Sequence, residues 1–201
     1  MPVGALAWHR LSFSPRAPAS FSADPEQVAL GRALAARIAD ATRMTGEAIA
    51  VAGLFELTSR QLAKQIRDVH NLTSRAIARF LITGQGTTET ERNFIGRIGV
   101  VAVRYGVSLS TLTRSYILWR DNNLRVLNEE VKRLRTAVAI SDETRLLISS
   151  SARTGILRMA LAYDEPREVV PAVAVHDSRA LVSLANQESS ARLQLSSRPA
   201  S

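Results

Sequence analysis

Residues 108–134, SLSTLTRSYILWRDNNLRVLNEEVKRL, hold the side chains with the best-defined setting for ligand binding. Their apolar residues recur at spacings of three and four, or the sum of these, which predicts one apolar stripe along a helix. The stripe consists of Leu109, Leu112, Tyr116, Trp119, Leu127, Val131 and Leu134. Asn123 falls within it, four residues from both Trp119 and Leu127. A buried amide without partners costs about 1–3 kcal/mol, so Asn123 must pair with a neighbouring helix, a water molecule or a ligand.

Four residues of this stretch are the candidate ligand-binding or switch residues: Tyr116, Trp119, Arg120 and Asn123. Two interpretations stay open for them. In one, Asn123 makes a structural hydrogen bond between helices, and the two aromatic rings belong to the core. In the other, Asn123 and the rings contact a ligand, and the helix changes its packing when the ligand binds.

The remaining residues offer no constellation that supports catalysis. The chain has no cysteine, which excludes disulfides, thiolate zinc sites and cysteine nucleophiles. His9, His70 and His176 lack a second ligand at metal-binding spacing on a shared helix face. The serines lack a nucleophile elbow, and neither a P-loop nor a GxGxxG motif occurs. We therefore predict a protein that is not an enzyme and that needs no metal or cofactor.

Helix signals dominate the chain from Asp24 onward. Asp24 is a predicted N-cap with Pro25 at the first helical position, and Thr88 to Glu91 has the form of a capping box. Gly106 lies where a helix ends, and Ser108 is the predicted cap of the long helix. The predicted helices begin near Asp24 and then cover about 45–68, 72–83, 89–105, 108–136 and 141–163. With no strand alternation, the predicted fold is all-α.

The helical period stops near Tyr163, which divides the chain into three parts. Residues 1–24 are rich in Pro, Ser and Ala and are predicted to be a flexible leader. Residues 25–164 form the predicted helical domain, a bundle of five to six helices. Residues 165–201 show no pattern able to build a core and are predicted to be a disordered tail.

The net charge of +8 comes mostly from arginine, which contributes 24 of the 26 basic residues. Arginine binds phosphate well, so nucleic-acid binding is one alternative function. However, the arginines are scattered among acids, with no run of five basic residues and no aromatic stripe for stacking bases. No apolar run reaches the roughly 18 residues of a membrane span, and the N-terminus is a poor secretion signal because no continuous apolar stretch follows a basic region. We expect a cytoplasmic protein with a solvated basic surface.

The segment RIGVVAVRYGV, residues 97–107, resembles the part of globin-type sensors in which an RIG motif precedes a proximal histidine. In haem-binding members a histidine is expected at the position of Ala102, and alanine cannot bind iron. The resemblance therefore implies a globin-like fold of the haem-less branch, similar to the N-terminal domains of stressosome proteins and PucR-type regulators.

The run from Phe80 to Glu168 is similar to the N-terminal regulatory domain of actinobacterial GGDEF (diguanylate cyclase) proteins. The matching pieces are Arg79-Phe80-Leu81 with Gly84, residues 105–109, Trp119-Arg120-Asp121, residues 157–160 and residues 163–165. In such proteins a catalytic domain follows and opens with a His-Asp-x-Leu-Thr-Gly-Leu-x-Asn-Arg segment. The tail has His176-Asp177-Ser178 and Leu184-Ala185-Asn186, but no GGDEF signature occurs before Ser201. The tail is interpreted as the remnant of a lost output domain.

These resemblances imply a non-catalytic sensory or regulatory input module of bacterial signalling, of the cyclic-dinucleotide type. Such a module acts by helix repacking and protein–protein contact, and a homodimer formed through helices and a signalling-protein partner are the expected partners. Two alternatives remain beside it: a basic helical protein that binds nucleic acid, and a generic helical interaction protein.

Overall fold

The computed structural model describes residues 24–55 and 60–164, which form six α-helices. The prediction of an all-α fold is confirmed, since no strand occurs in these two ranges. The helices are α1 (Pro25–Ala36), α2 (Ile38–Val51), α3 (Arg60–Thr83), α4 (Glu89–Arg104), α5 (Leu109–Leu134) and α6 (Val138–Asp164). None of them combines the length and apolar character needed to cross a membrane. The predicted tail and all of the predicted leader except Asp24 lie outside the described residues.

Three predicted helix starts are confirmed by their hydrogen bonds. The Asp24 carboxylate accepts from the Glu26 amide at 2.8 Å, and Pro25 takes the first helical position. Thr88 and Glu91 form both halves of a capping box: each accepts from the other's backbone amide, at 3.2 Å and 2.6 Å. The Ser108 hydroxyl accepts from the Thr111 amide at 3.1 Å. Each cap satisfies an amide that has no partner within its own helix.

The first predicted helix is interrupted at Arg37, which separates α1 from α2. Its guanidinium binds Asp40 at 2.5 Å, Glu130 at 2.8 Å and Glu129 at 2.9 Å. The pKa of Arg37 is raised mainly by its hydrogen bond to Asp40, followed by those to Glu129 and Glu130. The break thus directs one cation onto two acidic residues of α5, a tertiary contact that helical periodicity does not reveal.

The predicted helix over about 45–68 is wrong, because the chain turns at residues 52–55. Gly53 and Phe55 adopt φ values of 63° and 70°, which end α2. The predicted break near His70 is also wrong, since α3 runs without interruption through residues 60–83. Its buried positions keep a spacing of three and four past His70, so one apolar face continues along the helix.

The ends of α5 and α6 also differ slightly from their predictions. Helix α5 ends at Leu134, and Arg135 adopts the left-handed conformation with φ 56° that glycine more often takes. Helix α6 begins at Val138, three residues before the predicted start at Ser141. The early start adds nearly one turn before the first buried residue of that helix.

Helix α3 forms the centre of the core. It packs chiefly against α1, with further contacts to α2 and α4, while α6 packs chiefly against α4 and α5. The largest fully buried apolar side chains come from five of the helices: Leu30, Leu62, Phe94, Ile98, Leu112, Tyr116, Trp119, Leu127, Ile148 and Met159. These residues belong to one continuous core rather than to separate clusters.

Helix α6 approaches its two neighbours at glycines. A Cβ placed on Gly99 of α4 would lie 2.2 Å from the Met159 carbonyl oxygen, so the two backbones are in contact. A Cβ placed on Gly155 of α6 would lie 2.6 Å from Cε1 of Tyr116 on α5. A larger side chain at Gly99 would push against the α6 backbone, and one at Gly155 would displace the Tyr116 ring or α6. Both glycines therefore mark close approaches of α6 to its neighbours.

A fully buried ion pair joins the end of α3 to the start of α4. The Arg79 guanidinium donates to the two carboxylate oxygens of Glu91 at 2.9 Å and 2.6 Å, and neither side chain is exposed to solvent. Arg79 also donates to the Gly86 carbonyl at 3.0 Å, while Glu91 accepts from the Thr88 amide. The pair therefore organises the connection between α3 and α4 as well as the cap of α4.

Replacing Glu91 by alanine is expected to lower the free energy of unfolding by about 3–5 kcal/mol, because the substitution leaves a buried guanidinium without its carboxylate. Urea unfolding followed by circular dichroism measures the change. Glu89→Ala is the matched control, since Glu89 lies on the same first turn but is exposed and binds Arg92 near the surface. Equal unfolding midpoints for Glu91→Ala and the wild type would contradict this account.

Candidate functional site

A cluster of polar and aromatic side chains lies between α3 and α5. Helix α3 contributes His70 and Ser74, four residues apart, and α5 contributes Tyr116, Trp119 and Asn123 at spacings of three and four. Such spacings place residues on one face of a helix, so the two sets face each other. We call these five residues the α3–α5 cluster.

Ser74 connects the polar atoms of the cluster. Its hydroxyl accepts from the Trp119 indole nitrogen at 3.0 Å and lies 3.1 Å from both the Asn123 amide oxygen and the His70 carbonyl. A hydroxyl has one proton, so Ser74 shares it between these two acceptors. The Asn123 amide nitrogen donates to the Trp119 carbonyl at 2.8 Å. Both ends of the Asn123 amide therefore have protein partners.

The three rings of the cluster touch one another. His70 and Tyr116 meet edge to face with centroids 5.0 Å apart, and Tyr116 lies 5.7 Å from Trp119. His70 also stacks on Trp119 at 6.2 Å with an interplanar angle of 25°. Edge-to-face and offset arrangements at these distances contribute about 0.5–1.5 kcal/mol each beyond area burial.

Burial shifts the pKa values of the two titratable groups of the cluster, His70 and Tyr116, away from neutral pH. It lowers the pKa of His70 to about 3, and the imidazole Nε2 has no hydrogen-bond partner among the described residues. Burial also raises the pKa of the Tyr116 hydroxyl, an effect that the nearby Thr73 side chain partly offsets, and this hydroxyl has no hydrogen-bond partner among the described residues. Both groups are therefore neutral over the physiological range.

The structure brings together three of the four candidate residues predicted from the sequence. Tyr116 and Trp119 are each 1% exposed, and Asn123 is half-buried beside them. Arg120 lies apart from the cluster and pairs with Asp121 at 2.8 Å near the surface. Residue 120 follows Trp119 by one position, about 100° around the helix, so the two side chains point in different directions.

Two residues of the cluster, His70 and Ser74, were not predicted from the sequence. The sequence predicts a break between helices ending near residue 68 and starting near residue 72, which puts His70 before a turn. A continuous helix through residue 70 would have set His70 and Ser74 four residues apart on the apolar face, and this was the available signal. Which residues of α5 they contact could not be predicted, since 45 residues separate Ser74 from Trp119.

The cluster borders two cavities of very different size. The void beside Ser74 and Asn123 measures about 10 Å³, which leaves room for one water molecule at most. On the opposite side, a cleft of about 430 Å³ lies between α3, α4 and α6, and Thr73 and Gly155 form part of its lining. We call it the α3–α4–α6 cleft. A ligand larger than water could therefore approach the cluster from this cleft but not through the void at Asn123.

No group of three histidine, aspartate or glutamate side chains in residues 24–55 and 60–164 is placed to bind a metal ion. Ala102, at the position where haem-binding sensors carry histidine, is fully buried in α4. Comparisons with protein-family models, with curated proteins and with solved structures find no match to this chain. The resemblance to globin-like and GGDEF-associated sensor domains therefore stays a prediction.

Replacing Ser74 by alanine is expected to lower the free energy of unfolding by about 1–3 kcal/mol, because the buried Trp119 indole nitrogen loses its acceptor. The cost should shrink in a Trp119→Phe background, which has no indole nitrogen to satisfy. Urea unfolding of the four proteins of this double-mutant cycle measures the coupling. Ser115→Ala serves as the control, since its equally buried hydroxyl donates only to Leu112 of its own helix. Additive effects would show that Ser74 and Trp119 are not coupled.

The low pKa of His70 predicts acid sensitivity of the fold. In the unfolded chain a histidine has a pKa of about 6.5, so the unfolded state binds more protons than the folded state between pH 6.5 and about 3. The free energy of unfolding should therefore fall as the pH is lowered through this window, by at most about 1.4 kcal/mol per pH unit from this residue.

Comparing the wild type with His70→Phe isolates the contribution of the imidazole, because the variant keeps a ring in the cluster but cannot be protonated. Urea midpoints measured between pH 7.5 and 5 should fall less steeply in the variant. The carboxylates, His9 and His176 are present in both proteins and cancel in the difference. Parallel pH profiles would contradict a buried neutral His70.

Proposed function

We propose that this chain is a non-catalytic regulatory input module of bacterial signalling, of the cyclic-dinucleotide type, with a haem-less globin-like domain. In this proposal, a signal received by the helical domain changes the packing of α6 against α4 and α5. The single observation that carries the proposal is the contact of the Tyr116 ring with Gly155, since it couples the α3–α5 cluster directly to α6.

The chemistry of the cluster supports a binding role rather than a catalytic one. A general acid or base works best when its pKa lies near the operating pH. The pKa of His70 lies far below neutrality and that of Tyr116 is raised above its ordinary value of 10, so neither group is suited to transfer protons. The remaining polar groups of the cluster, Ser74 and Asn123, are engaged in hydrogen bonds within it.

The surface of α6 supports a homodimer and a signalling-protein partner as the means of output. Leu146, Leu157 and Leu161 are 70%, 57% and 62% exposed along this helix. Exposed apolar side chains on one element favour contact with another protein surface. The proposal places the module in the cytoplasm, a location that a chain without cysteine permits.

A fusion of the full chain to a diguanylate cyclase catalytic domain tests the proposal. Gly155→Ala sets a methyl group against Tyr116 and disfavours the observed packing of α6. We expect cyclic-dinucleotide formation by the fusion to change with this substitution, by about tenfold for each 1.4 kcal/mol of difference between the two packings. Chromatographic measurement of product formed from GTP provides the readout.

Two other glycines provide matched controls. Gly31→Ala introduces a contact of 2.9 Å between α1 and α3, away from α6, and Gly96→Ala meets no atom within 4 Å. Both should leave product formation unchanged while circular dichroism shows a folded protein. The proposal fails if all three variants behave alike, or if the chain alone converts GTP into a cyclic dinucleotide.

A further inference from the structure

We infer that the α3–α4–α6 cleft binds a small organic anion, a phosphate or carboxylate attached to an apolar body. This inference rests on the proposed regulatory function in one respect, since it names the class of signal that the module receives. The volume of about 430 Å³ falls within the range of about 300–1,000 Å³ typical of small-molecule sites.

The charges around the cleft select for an anion. Arg92, Arg153 and Arg158 line it, and no aspartate or glutamate is among the described residues of its lining. Glu89, outside the lining, binds Arg92 and lies close enough to Arg158 that both arginines lower the pKa of its carboxyl. One carboxylate beside the two guanidinium groups of Arg92 and Arg158 leaves an excess of positive charge at the cleft.

Arg158 is the residue best placed to bind the anion. Its side chain is half-buried in the cleft, yet it forms no ion pair or hydrogen bond within the described part of the chain. Arg92, by contrast, is already held by the Thr87 carbonyl at 2.8 Å and by Glu89. A partly desolvated guanidinium gains more from an anionic partner than an exposed one, because the lower dielectric strengthens the attraction.

The other residues that line the cleft indicate the chemistry of the uncharged part of the ligand. Ile77, Ile95 and Leu157 supply apolar surface, while Ser151 and Thr154 supply hydroxyl groups. No aromatic residue is among the described residues of the lining, so the cleft offers no platform on which a nucleic-acid base could stack. A compact molecule with one anionic group and an apolar portion matches this surface better than a polynucleotide.

The cleft is lined in part by α6, the helix whose packing changes in the proposed function. Gly155, on its wall, touches the Tyr116 ring, and Thr73 of α3 lies near the Tyr116 hydroxyl. A ligand held by Arg158 on α6 and Arg92 on α4 bridges the two helices at this point. Its binding energy therefore differs between packings that bring these arginines together and packings that separate them.

Phenyl phosphate is a suitable probe, because it joins one phosphate to an apolar ring. Isothermal titration calorimetry on the full chain should show saturable binding to one site, with inorganic phosphate and the neutral analogue benzyl alcohol each binding at least about tenfold more weakly. In a Trp8→Phe background, Trp119 is the only tryptophan, and its emission should change on binding.

Substitutions in the cleft should weaken binding without unfolding the chain. Arg158→Gln is expected to raise the dissociation constant about tenfold to a hundredfold, the effect of losing one charge-assisted hydrogen bond. Thr154 is exposed at the rim, so Thr154→Glu places a carboxylate there at little risk to folding and should abolish binding. Arg97→Gln, which replaces an exposed arginine of α4 outside the cleft, is the control and should bind as the wild type does.

Several results would overturn the inference. These are no saturable binding at millimolar phenyl phosphate, equal binding of inorganic phosphate, or binding that Arg158→Gln and Thr154→Glu leave unchanged. Since the titration uses the unfused chain, it fails or succeeds independently of the fusion experiment. Binding in the cleft with an unresponsive Gly155→Ala fusion would retain the site and reject the regulatory function, and the reverse result would reject only the site.

Discussion

The buried pair of Arg79 and Glu91 is the interaction on which the arrangement of α4 depends. Removing two charges from water is expensive, and the attraction between them compensates only when geometry is good and the remaining hydrogen bonds are made. Here the two carboxylate oxygens face the guanidinium, and the Thr88 amide and the Gly86 carbonyl add one further hydrogen bond to each side chain. The start of α4 is thereby fixed relative to the end of α3. Since α4 packs chiefly against α6, the pair also sets the wall of the α3–α4–α6 cleft.

A second constraint comes from the absence of side chains at Gly99 and Gly155. These two residues let α6 approach α4 and α5 more closely than any other residue allows. Close approach increases the number of dispersion contacts between the helices. It also leaves no free space between them, so the packed interface cannot deform continuously. If α6 moves as the proposed function requires, it is therefore expected to shift to a distinct register and not to deform gradually.

The helix caps could be predicted from the sequence because they depend on neighbouring residues. The tertiary contacts could not, because they depend on residues far away in the chain. The caps at Asp24, Thr88 and Ser108 depend on residues two or three positions away, so their residue types predict them. The guanidinium of Arg37, at the break between α1 and α2, binds acidic residues more than 90 positions later as well as nearby Asp40, and no local pattern marks the distant contacts. The α3–α5 cluster shows the same contrast. Asn123 lies in an apolar stripe, so the sequence predicts that its amide needs a hydrogen-bond partner. That Ser74 is the partner follows only from the packing of α3 on α5.

The geometry of α6 restricts how a signal could travel through the proposed module. Gly155 lies nine residues before Asp164, about 14 Å along the helix at 1.5 Å per residue, and Met159 lies between them against Gly99. A displacement that begins at Gly155 must pass this backbone contact before it reaches the end of the helix. This contact extends over the last turn of α6, because a Cβ placed on Gly99 would also lie 3.1 Å from the Tyr163 amide nitrogen. In the proposed module, a signal that starts at Gly155 therefore reaches Asp164 only if this stretch of α6 shifts against α4 as a unit.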